Sequence, residues 1–313
     1  MIYPKLYIGP MSKTILEIVC LYSKETSIPL GLVVSRRQID GHKPGYVGWS
    51  MLELRKFLID KPEIIVERDH GGPGQSDDQD DGYESLMIDV GIADIIHIDV
   101  WKIHKDINRA IAETAKYIRF CYNLNKTCKF EVGTEEGIRP YSTDEFDFFL
   151  GGLYKELGQE LFNTIVYAVI QSGTKIKGLI NTGNYNLNKM IAMIKICKNY
   201  SLMSKEHNAD YLPVKEIKER YANGLTSLNI APQVASIENG CLLKFMSDQQ
   251  KEKLLDKCAK SSQYQRWFGC NKVDPLTMLK ALAHYFREGI FLSDEVFQET
   301  KNELYDLFNR LLK

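Results

Sequence analysis

Imidazole, carboxylate, guanidinium and carboxamide groups recur in this chain in short clusters that each close a run of apolar residues. They are Ser35-Arg36-Arg37-Gln38, Glu67-Arg68-Asp69-His70, His97 with Asp99, Glu131 with Glu135, Gln171, Glu206-His207-Asn208, and Asn229. Brought together by a fold, such groups can ligate a cation, move protons or grip an anion. Taken singly, each is equally at home as a polar residue capping a strand, so the elements that would position them decide the reading.

Those elements are legible as apolar runs of strand length at 5–9, 30–36, 63–68, 94–100, 129–133, 164–171, 201–206 and 226–231. Between them lie stretches with helical periodicity at 15–22, at 107–122 (apolar at 107, 110, 111, 115 and 118) and at 187–197. Continuous hydrophobic strands alternating with helices imply a parallel sheet covered by helices. Eight such units predict an α/β fold of the (β/α)8 TIM-barrel type, whose chemistry lies just after the C-terminal strand ends, where the polar clusters fall. An open doubly wound sheet would show a similar bias, but the count of eight favours closure. From about residue 232 the pattern is helical only, clearest at 251–260, 275–286 and 293–312, so the expected organisation is a barrel over 1–235 and a helical extension over 236–313 packed on it.

With 313 residues, 44% hydrophobic and 26% charged, the composition is that of a globular chain with a large core. The 40 Lys and Arg nearly cancel the 41 Asp and Glu, giving a formal charge of -1, and no basic stripe offers a footprint for nucleic acid. Seven cysteines without a CxxC pair read as free, mostly buried thiols in a reducing cytoplasm. No stretch approaches the roughly 18 apolar residues of a membrane span.

The clusters also carry a family likeness. Gly31-Leu-Val-Val-Ser-Arg-Arg-Gln38, Gly45-Tyr-Val-Gly48, Asp69-His-Gly-Gly-Pro73, Ile96-His-Ile-Asp99, Gly133-Thr-Glu135, Glu206-His-Asn-Ala-Asp-Tyr211 and Asn229-Ile-Ala-Pro232 occur in the order found in the non-catalytic, Z-type subunit of class II D-tagatose-1,6-bisphosphate aldolase. The run Tyr264-Gln-Arg-Trp-Phe268 falls where that family has an Arg-Tyr-Tyr-Trp-like motif. The chain resembles that family from about residue 5 to about 290. More distantly, Asp69-His70 is similar to the Asp-His of the catalytic class II fructose-bisphosphate aldolases.

The resemblance implies a divalent metal, zinc by analogy, acting as a Lewis acid on a ketose carbonyl. It makes His70 and His207 candidate ligands and Asp69 the proton-transfer residue, with Asp99 a second catalytic carboxylate that could orient a ligand histidine. Catalytic relatives carry another histidine on the strand at 164–171, where this chain ends in Gln171-Ser172-Gly173. A third ligand would then come from Glu131, Glu135, Gln171 or His97, or water would take the vacancy. Glu131 is the first choice, because alternation with Phe130 and Val132 turns it inward. Asp69 and His70 could both face the mouth if the chain turned at Gly71-Gly72-Pro73; alternatively Asp69 pairs with Arg68.

For substrate contacts the candidates are Arg36, Arg37, Gln38, Gln171, Gly173 and Asn229. One of the two adjacent arginines should point inward and could clamp an anion; the alternative is a bridge to Glu67 or Asp69. Gly173, Thr182, Gly183 and Asn184 could offer backbone N–H groups to a phosphate. The acidic run 77–81 reads as a solvated loop, with a lid or an interface as its functional alternative. Tyr46, Trp49 and Trp267 could line a sugar face or pack against a helix.

The sequence therefore predicts a metal-dependent aldolase acting on a phosphorylated or anionic ketose. The alternatives are a non-catalytic barrel that stabilises a separate catalytic aldolase subunit, and a metal-dependent sugar epimerase or isomerase. The expected partners are a small sugar substrate and either a second copy of the chain or that catalytic subunit, without nucleic acid or membrane.

Overall fold

The computed structural model of the chain describes residues 2–41, 44–77, 79–287 and 293–313. Ten strands run in chain order: β1 (Leu6–Ile8), β2 (Gly31–Ser35), β3 (Ile65–Gly71), β4 (Ile95–Ile98), β5 (Lys129–Val132), β6 (Ile165–Ile170), β7 (Ile176–Lys177), β8 (Ile180–Asn181), β9 (Met203–Glu206) and β10 (Ser227–Ile230). Eight of them close into a barrel in the order β1-β2-β3-β4-β5-β6-β9-β10, every pair parallel, and β7 and β8 form a separate antiparallel hairpin. All eight expected strands are present, and the fold is the (β/α)8 barrel that their number implied.

Helices follow the strands: α1 (Lys13–Thr26), α2 (Met51–Phe57), α3 (Tyr83–Asp89), α4 (Ile107–Leu124), α5 (Thr143–Phe162), α6 (Leu187–Asn199), α7 (Val214–Ala222) and α8 (Pro232–Phe245). Then come α9 (Asp248–Ala259), α10 (Ser262–Phe268), α11 (Pro275–Leu282) and α12 (Asp294–Leu312). The helix expected over 275–286 stops at Leu282 and tightens into a 3-10 turn, Ala283–Tyr285. Serine side chains start several helices by accepting a backbone N–H, and Ser50/Glu53, Ser142/Glu145 and Ser247/Gln250 form complete capping boxes.

Strand alternation sorts the side chains. Outward residues such as Leu32, Val34, Ile96, Ile98, Phe130 and Val132 join the helices in the main core. Inward residues Tyr7, Val33, Ile65, Ile95 and Tyr167 make a smaller cluster inside the barrel. Above that apolar floor most strands turn polar towards their C-terminal ends, with Glu67, Glu131 and Lys205 wholly buried in the next layer. The boundary expected at 235/236 falls inside α8, and Leu304, Leu307, Phe308 and Leu311 of α12 pack into the main barrel core. Helices α9 and α11, with Phe268 of α10 and the later residues of α8, gather around a core of their own.

Candidate active site

Asp69 and His70 owe their shared position to a turn that begins one residue earlier than the glycines suggested. Alternation along β3 sends Ile65, Glu67 and Asp69 inward and Arg68 outward. Arg68 there donates to both oxygens of Asp89 on α3 at 2.7 and 2.8 Å, wholly buried, so it does not pair with Asp69. His70 would face the helices in a regular strand. Instead it takes a left-handed conformation, φ 49°, where the β3–β4 register shifts between Arg68 and Gly71. The shift returns its ring to the barrel mouth beside Asp69.

Three imidazoles meet there, with ring centroids 5.0 to 5.6 Å apart: His70, His97 of β4 and His207 just beyond β9. Each has one ring nitrogen held from outside. His70 Nδ1 lies 2.7 Å from Asp99 Oδ2, His97 Nε2 3.1 Å from the Gly133 carbonyl, and His207 Nε2 2.6 Å from Glu131 Oε1. Those acceptors keep a proton on the outer nitrogen and turn the other towards the centre. The inner nitrogens stand 3.5, 3.7 and 3.9 Å from Asp69 Oδ1, a buried oxygen without a hydrogen-bond partner among the described residues. Glu135 Oε2 approaches His70 Nε2 at 3.5 Å and His207 Nδ1 at 3.8 Å.

The donor set suits a divalent metal. One ligand atom from each of Asp69, His70, His97 and His207 lies within 4.8 Å of all the others. Atoms bound at about 2.1 Å to one tetrahedral ion stand about 3.4 Å apart, so the set would have to draw together around the ion to hold it. Charge agrees. Burial alone would strip protons from His207 and His70. Glu131, Glu135 and Asp69 nevertheless push His207 up to about 10, and Asp69, Asp99 and Glu135 push His70 well up. Burial would raise Asp69 too, but the neighbouring imidazoles hold it at about 2. A cluster that retains protons so strongly is short of positive charge, and a divalent cation would supply it.

Under this cluster lies Lys205, two residues before His207 and on the same inward face of its strand. Its ammonium is wholly buried, ion-paired with Glu67 and 3.1 Å from Glu131 Oε2, and 3.7 Å from the Tyr7 ring centroid. Burial favours a neutral Glu131, but Lys205, His207 and His97 hold it ionised. Glu131 thus accepts from His207 while anchored from below. It holds that histidine from outside the Asp69, His70, His97 and His207 cluster, and it also stands in a second group, with Glu67 and His207, whose ligand atoms lie within 4.8 Å of one another.

No family model matches the sequence, and no curated protein matches it. Solved structures do. The probable tagatose 6 phosphate kinase of Sinorhizobium meliloti 1021 superposes with a TM-score of 0.73 at 13% identity, over 99% of this chain and 87% of that one. The YdjI aldolase of Escherichia coli K12 gives 0.60 at 12% identity, covering 99% and 91%. Fructose-bisphosphate aldolase of Campylobacter jejuni gives 0.62 at 10%, covering 99% and 90%. The chain shares their barrel.

At the mouth of the barrel a cavity of about 430 Å³ opens over Asp69, His70, Glu135 and His207. Of the expected substrate residues, Arg37, Gln38 and Asn229 line it. Asn229 leaves its buried Oδ1 unpaired among the described residues. Gln38 is partly committed, its Oε1 accepting from the Ser35 N–H and hydroxyl. Arg36 does not face the cavity. It is buried and locked to Asp40 and Asp80, which are not the partners foreseen for it.

Gln171 is likewise structural. It accepts from Tyr141 N and donates to the carbonyls of Thr134 and Arg139, pinning the loop that carries Glu135. Gly173, φ 98°, is pressed against the Asn184 carbonyl, where a Cβ would come within 1.9 Å. The N–H groups of Thr182 and Gly183 are spent on Lys175 O and Asn181 Oδ1, so this loop offers them to no phosphate. Asp99 is wholly buried and touches His70 instead of the cavity. The acidic run is engaged: Asp77 pairs with Arg37, Asp80 with Arg36, and Asp81 accepts from Tyr83 N, while Asp78 lies outside the described residues. Tyr46 and Trp267 line the cavity, whereas Trp49 packs on Phe57.

Sequence reasoning did not single out Lys205 or Lys102, and it named Glu67 only within a strand-end cluster and as an arginine partner, and Arg266 only within the run Tyr264–Phe268. Lys102 and Arg266 both reach the cavity. The inward period of β9, Met203-Lys205-His207, would have pointed to Lys205.

Proposed function

We propose that the protein is a metal-dependent aldolase that cleaves a phosphorylated ketose. The observation that carries this reading is the convergence of His70, His97 and His207, each fixed from outside by an acceptor, on Asp69 at the mouth of an aldolase-like barrel. The three imidazoles would hold the ion. Bound there, a divalent metal supplies a Lewis acid for the ketose carbonyl and for the enediolate charge left by cleavage.

The remaining chemistry belongs to the carboxylates. Asp69 is ionised and lines the cavity beside the imidazoles, as a general base must. Its carboxylate takes the proton of the hydroxyl on the carbon β to the carbonyl. The bond between the α and β carbons then breaks, the β carbon leaves as an aldehyde, and its electron pair passes into the enediolate. Return of one proton to the α carbon gives the second product. Glu135, the other carboxylate on this wall, is placed to hold that proton. Arg37 and Asn229 orient the sugar from the β2 and β10 ends.

The non-catalytic alternative drew on the missing histidine at Gln171. His97 provides a third imidazole from β4, which favours catalysis. All seven cysteines are free and six are buried, as suits a reducing cytoplasm, where we place the reaction. Cleavage assays on a panel of ketose phosphates with added divalent metals test the reading. Turnover that is lost in both His97→Ala and Asp69→Asn is expected, and a wild-type protein inert on the whole panel contradicts it.

A further inference from the structure

Tyr7, Glu67, Glu131 and Lys205 come from the alternate strands β1, β3, β5 and β9. Followed round the barrel, the strand registers advance by two residues at each such step, from Tyr7 to Glu67, Glu131 and Lys205 and back to Tyr7. The four therefore make one layer of the barrel interior, a position ordinarily filled by branched apolar residues. All four are fully buried, and three of them carry charge.

Two carboxylates share one ammonium in that layer. Lys205 is ion-paired with Glu67 and lies 3.1 Å from Glu131 Oε2. Its Nζ stands 3.7 and 5.0 Å from the ring centroids of Tyr7 and Tyr167. The oxygens of the layer are incompletely met: Glu67 Oε1, Glu131 Oε2 and the two tyrosine hydroxyls are buried without a hydrogen-bond partner among the described residues.

One ligand atom from each of Glu67, Glu131 and His207 lies within 4.8 Å of the others, so a second set of metal-type donors sits beneath the first and shares His207 with it. The upper set is rich in imidazole. The inner one is mostly carboxylate oxygen, which suits hard cations. Lys205 separates the two, because its ammonium already stands between the inner carboxylates and a second cation there would meet a like charge in a water-free interior.

We propose that the Lys205 ammonium occupies an inner cation position formed by Glu67 and Glu131, and so confines the metal to the imidazoles at the mouth and holds the chain to one ion. This fixes how many ions the barrel takes and at which level, and it rests on the metal-dependent reading for the ion at the mouth.

Electron paramagnetic resonance of Mn2+ added to the full chain, loaded with one equivalent of zinc, tests this without turnover. Zinc holds the imidazoles against manganese. Wild type should take up no manganese saturably. Lys205→Ala, which removes the charge and opens its space, should bind about one Mn2+ per chain. Adding Glu67→Gln to that variant should abolish the uptake, and Lys205→Met, which removes the charge but keeps the space filled, should show none. Manganese should also raise the urea midpoint of Lys205→Ala and leave that of wild type unchanged, as for an ion that binds only the folded state. Folding of Lys205→Ala that appears only when manganese is present is the same result. No uptake by Lys205→Ala, equal uptake by wild type, uptake that survives Glu67→Gln, or failure of Lys205→Ala to fold with or without the ion overturns the proposal. If Lys205→Ala takes up manganese while wild type holds no zinc, the centre at the mouth fails and the inner position stands.

Discussion

The Nδ1 of His70 lies 2.7 Å from Oδ2 of Asp99, the carboxylate just past the end of the neighbouring strand β4. Thr134 Oγ1 donates to the same oxygen at 3.0 Å, and the Trp101 N–H donates to Oδ1 at 2.9 Å, so Asp99 is itself held in place. A histidine fixed in this way presents its Nε2 in one orientation and one tautomer. Asp99→Asn should therefore lower divalent-metal affinity by about 10- to 100-fold while leaving the fold intact, the usual cost of losing an outer partner of a ligand histidine. Metal titration alongside circular dichroism checks both halves.

His97 and Gln171 make a pair of opposite expectations. Substituting His97 by Ala removes an inward nitrogen and should cost more metal affinity than Asp99→Asn. Gln171→Ala leaves metal affinity unchanged but frees the loop that carries Glu135, lowering turnover. Equal metal loss in the two variants would show that Gln171 is a ligand after all.

Lys205 sits between Glu67 and Glu131 in the middle of the barrel and pairs with both. Lys205→Met leaves two buried carboxylates facing each other, and breaking a buried pair in this way costs about 3–5 kcal/mol. The expected result in urea is a large fall in the unfolding midpoint. The loss should be greatest above neutral pH, where both carboxylates are driven to ionise.

Asp210 provides a pH signature. Its Oδ1 accepts from the N–H groups of Ala231 and Gln233 at the start of α8, at 2.9 and 2.8 Å. Burial outweighs these bonds and pushes the group up to about 7, from an unfolded value of 3.8. The folded chain therefore binds the extra proton between these values. The stability contributed by Asp210 is full below about pH 4 and is lost as pH rises through about 7. Thermal melts of Asp210→Asn against wild type should show a shallower decline over that window.

Much of the barrel could be read directly because its strands are continuous apolar runs and its polar groups lie at their ends. Asp69, His70 and His207 were legible for that reason, and Glu131 was correctly turned inward. What escaped depended on contacts between distant segments. Arg36 looked like an anion clamp because nothing near it in sequence shows that Asp80, 44 residues on, would neutralise it. Gln171 looked like a ligand position because its bonds go to the backbone of a loop 30 to 37 residues away. Helix α5 went unread because it carries Gly151 and Gly152, poor helix formers, at positions where the Tyr200 and Ile111 side chains leave no room for a Cβ. Arg266 was legible only as part of the run Tyr264–Phe268, because its helix lies outside the barrel and nothing near it in sequence shows that it reaches the cavity.

Whether the three imidazoles hold a metal ion beside Asp69 is tested most directly by elemental analysis of the protein and its variants. The account predicts about one divalent ion per chain in the wild type and severe loss in each of His70→Ala, His97→Ala and His207→Ala, with cleavage of a ketose phosphate lost in parallel. A wild-type protein that binds no divalent ion when saturated with zinc, manganese or cobalt, or that cleaves its substrate unimpaired without these histidines, would contradict it.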